Sequence, residues 1–124
     1  MWLEARWSIA KRGAVASDFV KIGRVGELQP GKMKRVDAKG RRILLANVDG
    51  RFYAADDMCT HEDASLSTGS LRGELVKCPL HGSRFNVRTG EVLEEPAAEN
   101  LRTYPVRIEG DDILIGLTQA VQKS

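Results

Sequence analysis

From residue 18 onward the apolar positions of this chain come in short runs, broken at close intervals by Gly, Asp, Asn and Pro. Runs of that length between turn residues predict β-strands, and no stretch holds a helical period for long. The first predicted strand covers 19–22. A turn follows at Leu28-Gln29-Pro30-Gly31, where Pro suits an early turn position and Gly a positive φ. Strand 32–36, with Met33 inward, passes through a hairpin loop at Asp37-Ala38-Lys39-Gly40 into strand 42–48. There Ile43, Leu45 and Asn47 alternate with Leu44, Ala46 and Val48, so burial is expected on both faces. Asp49-Gly50 predicts a type I′ turn, which needs positive φ at both central residues, and strand 51–55 returns with Phe52 or Tyr53 in the core. Further strands are expected at 74–77, 84–87, 92–93, 101–108 and 113–117, separated by turns at Arg88-Thr89-Gly90-Glu91 and Gly110-Asp111. The fold class is all-β, one compact domain whose last predicted strand is 113–117, followed by a C-terminal tail at 118–124. Residues 1–17 follow neither period and are expected to be an N-terminal extension, flexible or vector-derived.

Composition narrows the function classes. At 124 residues, 42% hydrophobic and 29% charged, the chain has the makeup of one soluble globular domain. Runs such as Ile43-Leu44-Leu45-Ala46 are far too short to span a bilayer, and Glu4 and Arg6 interrupt what would be the core of a secretory signal. A cytoplasmic protein with no membrane anchor is expected. The net charge of +2 resides in residues 1–17, where Arg6, Lys11 and Arg12 face Glu4, and the remainder is balanced. With 6% aromatic residues and no basic stripe, nucleic acid is not an expected partner.

The chemistry is concentrated in one window. Cys59-Thr60-His61, sixteen residues, then Cys78-Pro79-Leu80-His81 contains every Cys and every His of the chain, two of each. In a reducing compartment such cysteines point to metal or redox chemistry in preference to a disulfide. Each loop offers one thiolate and one imidazole, which suits a binuclear iron cluster with two thiolates on one iron and two imidazoles on the other. A single zinc with four ligands is the competing arrangement, although zinc loops usually pair like with like. Two buried cysteines acting as small hydrophobes, with incidental histidines, is the bland alternative.

Cys59-Thr60-His61 and Cys78-Pro79-Leu80-His81-Gly82 resemble the two cluster-binding loops of Rieske [2Fe-2S] proteins. The resemblance extends to Leu66-Ser67-x-Gly69, Phe85-Asn86 and Thr89-Gly90, and covers about residues 18 to 117. It implies three antiparallel sheets, with a cluster-binding subdomain whose two loops carry one [2Fe-2S] cluster on Cys59, His61, Cys78 and His81. Glu95-Pro96-Ala97 matches the family's third, proline-containing loop in position. Ala64 and Leu80 stand where respiratory Rieske proteins carry an extra Cys pair, so the chain looks like the soluble Rieske ferredoxins of bacterial ring-hydroxylating dioxygenase systems. With no His beyond the four-ligand set and no dinucleotide fingerprint, it is expected to be neither the oxygenase nor the reductase.

What the resemblance implies for function is a one-electron carrier and not an enzyme. It would run between a flavin-dependent reductase and a terminal oxygenase acting on aromatic rings. Both partners would be met transiently by a monomer. A small subunit of a nitrite-reductase-like assembly is the alternative. Rieske centres as a class span about −150 to +300 mV, against roughly −400 mV for plant-type ferredoxins. Ser83 supplies a hydroxyl where high-potential relatives have their first cluster donor, and Phe85 lacks the second, so a low-to-intermediate potential is expected; Ser83 could equally be an ordinary turn residue. Leu66, Leu80 and Pro96 are expected to shield the cluster from water. His61 and His81 are expected to make the potential fall at alkaline pH and to form the electron's exit. Glu62, Asp63, Glu94 and Glu95 nearby are either a docking rim for a basic partner or merely solvated.

Overall fold

Two-sided burial of one strand organises the architecture. In the computed structural model, which describes residues 19–60, 64–80, 82–95, 97, 99–117 and 121–122, β3 (Arg41–Val48) lies inside a five-stranded sheet. Its neighbours are β2 (Met33–Ala38) and β4 (Arg51–Asp56). Ile43 and Leu45 pack on one side with Ile22, Leu28, Ile113 and Ile115, while Leu44 and Ala46 pack on the other with Leu66, Val76 and Phe85. The alternation read in the sequence is thus realised as two cores separated by one sheet. Asn47 is buried on the Ile43 side and fully engaged, donating to Leu28 O at 2.8 Å and accepting from Gly50 N–H at 2.7 Å.

The three sheets are all antiparallel. β1 (Phe19–Arg24), β10 (Asp112–Gly116) and β9 (Val106–Glu109) form one, in the order β1-β10-β9. The five-stranded sheet runs β11-β8-β4-β3-β2, with β8 (Arg102–Tyr104) and β11 (Val121–Gln122) at one side. The third sheet is β5 (Ser70–Arg72), β6 (Leu75–Lys77) and β7 (Arg84–Asn86), and it carries the second cysteine. Short 3₁₀ turns at Val25–Glu27 and Leu66–Thr68 join the strands. No described helix is long and apolar enough to cross a membrane.

Several sequence expectations need adjustment. The hairpin β2–β3 pairs through Ala38 and Arg41, so its turn is only Lys39-Gly40, tighter than the four-residue loop expected. Asp49-Gly50 behaves as expected, with φ of 54° and 92°. Met33 packs against one core, and Phe52 and Tyr53 split between the two, one to each. The expected strand 101–108 is two strands, β8 and β9, in different sheets. Pro105 lies at the break because it has no N–H for a ladder, and the chain changes sheets there. Val92 forms only an isolated bridge to Phe85, and β5, short and polar, was not anticipated.

Candidate metal centre

Both cysteines leave the ends of strands, and the backbone closes each loop in the same way. Cys59 N–H donates to Ala64 O at 2.9 Å and Cys78 N–H donates to Ser83 O at 2.8 Å, in each case five residues on. Cys78 O also accepts from Gly82 N–H at 3.2 Å, which tightens the second loop. The two cysteines are 3% and 2% exposed and share a core cluster with Leu66, Val76 and Phe85. Pinned loop necks of this kind fix where a thiolate points before any metal arrives.

Asp57 holds the first loop from inside. Its side chain is 1% exposed, its Oδ1 accepts from Ser67 N–H at 2.8 Å, and its Oδ2 accepts from the Ser65 hydroxyl. Its backbone continues the tie, donating to Arg42 O at 3.0 Å and accepting from Leu66 N–H at 2.7 Å. A buried carboxylate is tolerated because donors surround it. Sequence reasoning missed this role. The signal available was an acid two residues before a ligand-type Cys with Ser65 and Ser67 beyond the loop, but that pairing spans ten residues and is not a local turn pattern.

Upstream, the exit of β4 is held by a second group: the Tyr104 hydroxyl donates to Asp56 and accepts from Arg41 Nη1 at 3.5 Å. Burial pushes the Tyr104 pKa above the usual tyrosine value, with the Asp56 hydrogen bond adding to the rise. Gly69, in the Leu66-Ser67-x-Gly69 stretch, passes so close to β6 that an added Cβ would stand 1.9 Å from Lys77 O. Only glycine fits there.

The third loop is stapled to both ligand loops. Ser83 Oγ accepts from Ala97 N–H at 2.9 Å, and Thr60 Oγ1 donates to Glu99 O at 2.7 Å. Ser83 is 1% exposed, and its own hydroxyl proton finds no acceptor among the described residues. Leu66 is fully buried and lies with the cysteines, whereas Leu80 is 57% exposed. Phe85 is fully buried beneath the cysteines and Ala64 fills the same core. Of the expected acidic rim, Glu94 pairs with Arg84 at 3.5 Å and Glu95 is exposed. His61, His81, Pro96, Glu62 and Asp63 lie outside the described residues.

Two soft sulfur donors on backbone-pinned loops, an apolar wall and one buried hydroxyl beside them fit a metal–sulfur group. Residues 18–105 match the Rieske [2Fe-2S] domain, a span that contains both loops. The chain belongs to the Rieske [2Fe-2S] domain family. The cofactor of a Rieske domain is a [2Fe-2S] cluster, in keeping with that donor set.

The similarity extends to whole proteins. The biphenyl dioxygenase ferredoxin subunit of Pseudomonas sp. strain KKS102 is 44% identical over 103 residues, which is 82% of this chain and 94% of that one. A ferredoxin-length chain in the complex of reduced oxygenase and oxidised ferredoxin of carbazole 1,9a-dioxygenase superposes with a TM-score of 0.76 at 34% identity. That match covers 79% of this chain and 92% of that one. A protein described as the small subunit of an NADPH nitrite reductase superposes with a TM-score of 0.67 at 27% identity, over 78% and 96% of the two chains.

Proposed function

We propose that this Rieske protein is a cytoplasmic one-electron carrier of a ring-hydroxylating dioxygenase system. It takes electrons from a flavin-dependent reductase and hands them to a terminal oxygenase acting on aromatic rings. The observation that carries the proposal is similarity along nearly the whole length to a dioxygenase ferredoxin subunit, joined to a pinned pair of cysteine loops. When bound, the [2Fe-2S] cluster accepts and releases a single electron.

In this reading Cys59 and Cys78 hold one iron, and His61 and His81 the other. The chain's own residues do the rest. Asp57 and the two loop-closing amides orient the thiolates, and Leu66 and Phe85 keep water from the sulfur side. Ser83 offers a hydroxyl proton from a fixed position, because its oxygen is already anchored by Ala97. The protein works as a monomer that meets its partners transiently.

Visible and EPR spectra of the dithionite-reduced protein test the cluster. Mixed Cys/His ligation should lower the average g value relative to all-cysteine ligation, while a colourless protein containing zinc would overturn the reading. The likeness to the nitrite reductase small subunit supports a second reading, a subunit fixed in a larger oxidoreductase. Co-purification in a stable stoichiometric complex would favour it over a free carrier.

A further inference from the structure

The sheet that bears the second cysteine has one face in the core and one in solvent. Leu71, Val76 and Phe85 are register partners on the inner face, so the residues between them point outward. The outward row Ser70, Lys77 and Arg84 lies beside Arg72 and Leu75, and these five line a cleft of about 240 Å³. Three of the five are cations. Lys77 and Arg84 are direct cross-strand partners, an arrangement that costs stability when like charges face each other. Among the described residues Arg84 pairs with Glu94 at 3.5 Å, while Arg72 and Lys77 are exposed and form no ion pair there.

This charge is local, since residues 18–124 are balanced overall. It is also placed where it matters: Lys77 precedes Cys78, its side chain lies against Gly82, and Arg84 follows Ser83, so the cations flank the neck of the second loop. A like-charged row does not help the sheet fold, and it supplies what a carboxylate-bearing partner would need. We infer that the outer face of β5-β6-β7 is a docking surface for a redox-partner protein presenting a cluster of Asp and Glu carboxylates. The charge is opposite to that of an acidic rim, so the two partners of a carrier could be told apart by the face each engages. The inference rests on reading the chain as an electron carrier, and it concerns which surface meets an acidic partner.

The test uses the cluster-loaded full chain and a fluorescein-labelled decaglutamate peptide as the acidic probe, followed by anisotropy at low ionic strength. The Arg72→Glu/Lys77→Glu variant should weaken peptide binding about tenfold or more. Lys32→Glu/Arg51→Glu, with the same change in net charge at exposed sites elsewhere, should weaken it less than about threefold. Equal losses in the two variants, or no peptide binding by the unaltered protein, would overturn the inference. Displacement of the peptide by inorganic phosphate at the phosphate's own low-millimolar dissociation constant would overturn it in favour of a small-anion site. The visible spectrum of the same samples reports the cluster independently: its absence in the unaltered protein sinks the carrier reading, while a normal spectrum without peptide binding sinks only the docking face.

Discussion

Ser83→Ala separates two roles that one hydroxyl plays. The oxygen accepts from Ala97 N–H at 2.9 Å, and Ala97 is 3% exposed, so alanine leaves a buried amide without its partner. The cost of such an orphaned donor is about 1–3 kcal/mol, read as a lower midpoint in urea at unchanged slope. The proton of the same hydroxyl, without an acceptor among the described residues, can favour the reduced, more negative cluster. If that bond is worth about 1–2 kcal/mol more in the reduced state, its loss lowers the reduction potential by roughly 40–90 mV, at 59 mV per tenfold for one electron. Protein-film voltammetry measures the potential, and urea unfolding of the same preparation measures stability. A variant that loses stability while keeping its potential refutes the cluster role and leaves Ser83 as a staple for the third loop. A variant that loses neither refutes both.

The remaining predictions concern the scaffold. Gly69→Ala should cost about 3 kcal/mol or more and impair cluster assembly, because the new Cβ would stand 1.9 Å from a backbone oxygen that cannot swing away; iron content after expression checks it. Asp57→Ala strands the Ser67 amide and takes one acceptor from the Ser65 hydroxyl and should cost about 3 kcal/mol, whereas Asp57→Asn keeps an acceptor for Ser67 and should cost about 1 kcal/mol, with chemical denaturation distinguishing them. Tyr104 has a raised pKa in the fold, so its contribution to stability is whole below the unfolded value of about 10 and is lost as pH rises through the folded value. Tyr104→Phe should therefore flatten the alkaline limb of stability above about pH 10, as followed by thermal melts.

The site was legible to different depths at different residues. Cys59, Cys78 and the motif around them were plain because ligand types at short spacing are local, and Gly69 belonged to the same stretch without a stated reason. Asp57 was not legible, since its partners Ser65 and Ser67 become neighbours only when the first loop folds back. The acidic rim was read as four like charges, yet Glu94 faces Arg84 across a backbone pairing of Leu93 N–H with Arg84 O at 2.8 Å. Arg72, Lys77 and Arg84 are separated in sequence, and only the register of β5, β6 and β7 sets them on one face.

What the sequence by itself determined is everything with a short physical range. Period-two alternation made β3 a strand buried on both faces, left-handed turn residues made Asp49-Gly50 a hairpin, and the scarcity and spacing of Cys and His pointed to a two-loop metal centre. Tertiary structure alone decided which distant segments meet. It broke the chain at Pro105 so that β8 and β9 serve different sheets, and it tied the third loop to the other two through Ser83 and Thr60. The reason is that side-chain period and φ preference act over a few residues, whereas register and loop stapling depend on contacts that exist only after closure of long chain segments.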